Sequence, residues 1–273
     1  MSVGTFAAAQ LLRLVPRVGV SHAVGRLCEM SLSPQVSKWV SGMYSRAYGV
    51  NLEEAEAVDG GYPSFDAFFT RKLRQGVRSI DDSVLVSPAD GKLASKGPID
   101  AEASIVAKGQ AYKVAELTGE PEDAQRYQGG QFGVVYLSPR DYHRVHSPVD
   151  GELHYARSIA GDLYPVNAIG EQHVPGLFVK NQRVSLPIQT ENHGRVTVIL
   201  VGATIVGRIT VTGLEQESTP PGLHPFSPPR QIKRGDEIGV FHLGSTAVLL
   251  VEPGLGIERE LGPILYGHAL VKN

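Results

Sequence analysis

"DEIGVFHLGSTAVLLVEPG", residues 236–254, is the stretch on which the reading of this 273-residue chain turns. Its apolar runs 238–241 and 247–251 have the length and character of strands, yet Gly244, Ser245 and Thr246 stand between them. A glycine inside a strand pattern marks a bulge or a close approach of backbone. Two readings follow: a kink in a β-element, or a point at which the backbone itself reacts.

Upstream the same texture recurs. "VLVSPADGKLAS" from Val84, "FGVVYLS" from Phe132, "GELHYARS" from Gly151 and "RVTVILVGATIVGRITV" from Arg195 are short apolar runs broken by turn residues. With 31 Gly and 18 Pro, the chain favours many short strands over a helical bundle. Residues 84–273 therefore read as one β-rich, sandwich-like domain, and the whole chain as α+β. "TPPGLHPFSPPR", residues 219–230, holds five prolines and reads as a loop. The frame Ser-Pro-x-Asp-Gly occurs twice, as "SPADGKL" at Ser87 and "SPVDGEL" at Ser147. Proline fixes φ and Asp-Gly suits a tight turn before a strand, so the pair reads as two similar turns of a quasi-symmetric sandwich. Such turns also resemble those of carrier domains, which suggests a hybrid-barrel carrier or sugar-transfer module as an alternative. Neither copy puts a lysine at a hairpin tip.

The N-terminal 50 residues differ. Arg13, Arg17, Arg26, Lys38 and Arg46 face only Glu29, a local charge of +4 in a chain whose net charge is −2. In residues 4–15, Gln10 and Arg13 begin a polar stripe that Arg17 continues, opposite Phe6, Leu11, Leu12, Leu14 and Val15. A second segment, opened by Ser21 as a cap, aligns His22, Arg26 and Glu29 away from Val24, Leu27 and Met30. Both read as amphipathic helices, suited to packing on the core or to lying on anionic lipid. Arg13 and Arg17 fall where a cleaved signal peptide needs an unbroken apolar region, while an organellar transit segment stays open. No run reaches the ~18 apolar residues of a spanning helix. The charge balance gives no general basic footprint for nucleic acid. The single cysteine, Cys28, excludes an internal disulfide and a cysteine-based zinc site.

Between the two regions, "YPSFDAFFTRKLRQGVRSID" (62–81) predicts a helix capped by Ser64, with Phe65, Phe68, Phe69 and Leu73 on one face. Arg71, Lys72, Arg74 and Arg78 then crowd its far end, suiting the helix C-terminus, a phosphate or a lipid surface. In "YLSPRDYHRVHSPVDG", Ser138-Pro139 reads as a helix start that places His143 and His146 near one face. That spacing fits a metal pair, two neutral structural histidines, or a general acid or base. Asp90, His146 and Ser245 together supply acid, imidazole and hydroxyl, the parts of a nucleophilic triad. "HLGSTA" is not a hydrolase nucleophile elbow, because strand-like residues follow Ser245.

Taken in order, "FFTRKLRQGVRSID", "SPADGKL", "YLSPRDYHRVHSPVDG", "YPVN", "VGATIVGRI" and "GVFHLGSTAVLLVEPG" resemble phosphatidylserine decarboxylase of the bacterial type, from about Phe65 to Glu252. Two positions depart from the pattern: Tyr164 where Phe is expected, and Arg208 where a small residue is usual. The resemblance implies a membrane-docking segment over 1–50, a connector over 51–83 and a catalytic domain over 84–273. It implies that the chain cuts itself between Gly244 and Ser245, into a β chain 1–244 and an α chain 245–273. Ser245 would attack the Gly244 carbonyl, and elimination and hydrolysis would leave a covalent pyruvoyl cofactor, with no metal. His146 would be the base, Asp90 its orienting acid, and His143 the acid of the decarboxylation. The lipid's serine amine would form a Schiff base with the pyruvoyl group. The implied partners are phosphatidylserine, an anionic membrane surface and a second copy of the chain, and the implied place is the cytoplasmic side of the cell membrane. A soluble pyruvoyl decarboxylase of free amino acids is the other enzymatic alternative.

Overall fold

The structure, a computed structural model, describes residues 17–107, 109–166, 172–204, 208–215 and 218–271. The helix expected over residues 4–15 lies outside them. The expected α+β architecture is what the chain adopts, three helices first and then antiparallel sheets, with short helices at Val114–Thr118, Asp123–Tyr127 and Leu177–Lys180 among the strands.

Helix α1 (Arg17–Glu29) and helix α2 (Pro34–Tyr48) come first. Proline at the first turn opens α2, and Gly49 closes it at φ +73°. Helix α1 is already formed at Arg17, so Ser21 is a buried residue within it rather than its cap. Helix α3 is short, Phe65–Phe69, and Ser64 caps it as expected, its Oγ accepting from the Ala67 N–H at 3.0 Å. The helix does not run on to Leu73. There the backbone bonds to the preceding segment, Arg74 N–H to Glu54 O at 2.8 Å and Glu56 N–H to Lys72 O at 2.9 Å. The basic residues 71–78 therefore lie beyond the helix and serve no helix terminus.

Thirteen strands are described: β1 (Gly91–Pro98), β2 (Ser104–Ala107), β3 (Gln110–Lys113), β4 (Gln131–Leu137), β5 (Arg144–His146), β6 (Gly151–Ile159), β7 (Arg183–Gln189), β8 (Arg195–Val201), β9 (Arg208–Val211), β10 (Gly222–Ile232), β11 (Glu237–His242), β12 (Ser245–Val251) and β13 (Gly262–Ile264). Eight form one sheet in the order β10-β6-β7-β8-β12-β4-β1-β13, three form a second, β5-β11-β9, and β2-β3 is a separate hairpin. Ala247, Leu249, Val251, Val196, Val198 and Leu200 leave one face of the large sheet to pack with Val145, Ile209, Val211 and Ile238 of the small one. Val248, Leu250, Ile199 and Val201 leave the other face, beneath Phe69, Leu117, Tyr127 and Phe178. A sheet covered on both faces calls for continuous apolar runs rather than alternation, which is why residues 196–201 and 247–251 read as they do.

The opening stretch is thus two strands in two sheets. β11 belongs to the small sheet and β12 to the middle of the large one, and Leu243-Gly244 carries the chain across. The strained residue at the crossing is Leu243, at φ +84°, a conformation that costs a branched residue about 1–3 kcal/mol. A Cβ on Gly244 would meet nothing within 4 Å, so the local packing does not impose the glycine.

The proline-rich segment 219–230 is not the expected loop. Most of it is β10, paired with β6 at the sheet's edge, with a register break between Pro225 and Arg230. Proline is compatible with a sheet at an edge or a bulge, where its missing N–H costs no ladder bond.

The two Ser-Pro-x-Asp-Gly frames are turns leading into β1 and β6, and they exchange backbone bonds. Val86 N–H donates to Pro148 O at 3.0 Å and His146 N–H to Pro88 O at 2.8 Å. Their glycines are forced by close approach: a Cβ would lie 2.2 Å from Tyr136 O at Gly91 and 2.4 Å from Gln189 O at Gly151.

Candidate active site

The exchanged bonds bring Asp90 of the first turn and His146, the residue before the second, to one buried place. Asp90 is 4% exposed. Its carboxylate accepts from Arg78 Nη2 at 2.6 Å and Nε at 3.2 Å, and from the Tyr266 N–H at 2.8 Å. Glu54 holds the far side of the same guanidinium at 2.7 Å. Burial alone would lower the Arg78 pKa, and its hydrogen bonds to Asp90 and then Glu54 more than reverse that.

The His146 ring is stacked on Tyr266, with centroids 3.9 Å apart and planes 7° from parallel, and Tyr142 lies beyond at 5.6 Å. Its Nδ1 donates to Gly235 O at 2.7 Å, and its Nε2 meets the Tyr142 hydroxyl at 3.3 Å. The carbonyl fixes the tautomer, leaving the lone pair on Nε2. Burial lowers the His146 pKa, keeping the ring neutral, while the Gly235 hydrogen bond and then the charges of Glu237 and Asp90 pull the other way. The orienting partner of this imidazole is therefore Gly235, and Asp90 acts on it through charge.

The expected helix over the two histidines is absent. Residues 144–146 are strand β5, held by β11 in the register Glu237↔His146 and Val240↔Arg144. Positions three apart on a strand point to opposite sides, so His143 and His146 enter different surroundings. His143 is fully buried, its ring 4.0 Å from that of Phe69. Its Nδ1 donates to Asp141 O at 2.8 Å, and its Nε2 has no partner. Burial, and then the nearby Arg71 cation, hold its pKa down to about 3. His143 is also the histidine level with the strand that leads into the crossover, its carbonyl accepting from Phe241 N–H at 2.9 Å. Among the described residues, no three or more of His, Cys, Asp and Glu gather in a metal-binding arrangement.

Ser245 begins β12 opposite Leu137, and Gly91 stands on the other side of that strand. The structure thus groups Asp90 with His146 around Tyr266, and His143 with the end of β11. Tyr142, Tyr266 and Gly235 escaped the sequence reading, which takes Arg78 only as one of a basic cluster, because each acts through a neighbour that only folding supplies. Arg208, the unusual residue at its position, bonds Asp66 at 3.1 Å and Glu29 at 2.8 Å, tying α1 to β9. His242 shares that Asp66 at 2.8 Å.

The profile of the phosphatidylserine decarboxylase family matches residues 65–265. The phosphatidylserine decarboxylase proenzyme of Acinetobacter baylyi is 42% identical over 244 residues, covering 88% of this chain and 84% of that protein. Those of Marinobacter nauticus and of an Anaeromyxobacter species are 37% and 36% identical, covering 88% and 92% of this chain and 87% and 92% of those proteins.

Proposed function

The chain belongs to the phosphatidylserine decarboxylase family and converts phosphatidylserine to phosphatidylethanolamine; from that premise we propose that it makes its own catalytic group, a pyruvoyl, by cutting itself between Gly244 and Ser245. His146 is the base of the cut. Its Nδ1 proton is committed to Gly235, so Nε2 is the atom that takes the Ser245 hydroxyl proton. The Gly244 acyl group passes from nitrogen to oxygen. Elimination then expels the Gly244 carboxylate, and water releases ammonia, leaving chains 1–244 and 245–273. Asp90 steadies the imidazolium by charge. Cutting releases the left-handed backbone of Leu243 from the tether between two sheets. The small chain stays in place because β12 is paired along its length with β4 and β8.

The pyruvoyl supplies a carbonyl that accepts electrons as carbon dioxide leaves. His143 fits beside such a group, being buried, uncharged and unpartnered at Nε2. It is the acid that delivers a proton to the carbon that lost carbon dioxide. Its low pKa makes the protonated ring a strong acid for that step.

The observation that carries the proposal is the strained crossover at Leu243, which joins β11, the strand paired with the segment of His143 and His146, to β12. Mass spectrometry of the denatured protein tests it. Wild type should give two fragments, the smaller without a free amine, and Ser245→Ala one intact chain. An intact wild-type chain that decarboxylates phosphatidylserine would overturn it.

We further place the enzyme peripherally on the cytoplasmic face of the cell membrane. No helix among the described residues is long and apolar enough to span a membrane. Yet Val36, Trp39 and Met43 form an exposed apolar stripe on α2, with Leu27 and Met30 exposed at the end of α1. Arg26, Lys38 and Arg46 supply positive charge beside them. Trp39→Glu should weaken sedimentation with phosphatidylserine vesicles about tenfold while self-cleavage proceeds. Undiminished sedimentation would remove α2 from the docking face.

A further inference from the structure

Arg71 is a buried cation that forms no ion pair among the described residues. It is 5% exposed, and its Nη2 donates to the carbonyls of Arg140 at 3.1 Å and Asp141 at 3.4 Å. Its Nε and Nη1 have no partner. The nearby carboxylates are engaged elsewhere: Asp141 caps Ser138, accepting from its N–H and its hydroxyl at 2.7 Å each, and Asp90 holds Arg78. Leaving a guanidinium buried and half-bonded costs several kcal/mol. The fold tolerates that cost beside His143, a buried side chain whose Nε2 is also unpartnered, and Arg71 is close enough to lower the pKa of that histidine.

From these atoms we infer that Arg71 is the anion anchor of the substrate site and that it takes the phosphodiester of the phospholipid headgroup. The inference rests on the decarboxylase reading above. The planar fork of Nε and Nη1 matches two phosphate oxygens. The lipid carries a second anion, the serine carboxylate, but a cation paired to that group would stabilise the reactant more than the transition state in which it becomes neutral carbon dioxide. The phosphodiester is unchanged by the reaction, so holding it positions the headgroup without opposing the chemistry. Approach is from the docking side. Arg71 lies over the Phe68 ring at 5.7 Å and borders a cleft of about 200 Å³ with Arg140, Asp141 and Tyr142. Tyr44 of α2 packs on the same Phe68, at 5.7 Å between centroids. A lipid drawn from beneath α2 thus meets Arg71, whose charge reaches His143.

The test uses the processed enzyme on phosphatidylserine in mixed micelles, with two soluble competitors. Glycerophosphoethanolamine has the phosphodiester and no carboxylate, and ethanolamine has neither. Wild type should prefer the first over the second by about tenfold or more, the worth of a charge-assisted hydrogen bond. Arg71→Gln should raise KM about tenfold, abolish that preference and leave kcat within about threefold, because uniform binding is what it removes. Arg71→Lys should fall between, keeping the charge without the fork. If Arg71→Gln does not self-process, Arg71→Lys and the wild-type preference decide the matter. A wild type that is active without preference, or a variant that keeps the preference, would overturn the anchor alone. A wild type inactive on phosphatidylserine would overturn the decarboxylase reading itself.

Discussion

Turn 87–93 and turn 147–153 are built alike. In each, the serine hydroxyl closes on the carbonyl two residues ahead, Ser87 on Ala89 at 2.9 Å and Ser147 on Val149 at 2.6 Å. In each, the serine carbonyl accepts from a glycine, Gly267 at 3.0 Å and Gly235 at 2.9 Å. In each, the aspartate accepts from the backbone N–H just before that glycine, Tyr266 for Asp90 and Arg234 for Asp150, both at 2.8 Å. What differs is the surroundings. The Asp90 side chain is 5% exposed and grips Arg78 at 2.6 Å, whereas that of Asp150 is 50% exposed and lies 3.8 Å from Arg234. The position before the serine is Val86 in one turn and His146 in the other. One scaffold, used twice, buries its aspartate in one copy and carries a histidine before its serine in the other.

The comparison breaks most sharply at the carboxylates. Asp90→Asn should slow self-cleavage about 100-fold, since the charge that steadies the protonated His146 is gone. Asp150→Asn should leave the rate within about twofold, because the charge of an exposed carboxylate is screened by solvent. Timed gel analysis of the precursor checks both, and similar rates for the two variants would dissolve the distinction. The partner cations sharpen it on a smaller scale. Arg78→Gln strands a buried carboxylate and should destabilise the protein by about 3–5 kcal/mol. Arg234→Gln removes only long, exposed ion pairs and a bond to the Ser83 carbonyl, and should cost about 1 kcal/mol. Urea unfolding of both on a Ser245→Ala background checks the pair.

Much of this was legible in advance. Glycine and proline spacing marked the β-rich region, and the repeated frame marked both turns, because turn chemistry is local. Ser64 announced its helix for the same reason. The reading failed where a distant segment captured the backbone. Leu73 left its helix for a bridge to Ala55, just after the 3-10 turn 52–54, and Ser138-Pro139 led into β5 because β11 was there to pair with it. The prolines of 219–230 looked like a loop because nothing local says that a strand will lie at an edge.

The sequence by itself determined the parts of the candidate site: Asp90 and His146 on matched turns, His143 beside them, and Gly244-Ser245 between two apolar runs. Tertiary structure decided the surroundings each part receives. It sent those runs to different sheets and put the strain on Leu243 rather than on the glycine. It also gave the His146 proton to Gly235 and left Arg71 without an anion. Residue type and spacing set what a side chain is able to do, but burial, tautomer and unmet hydrogen bonds depend on neighbours that meet only when the sheets stack.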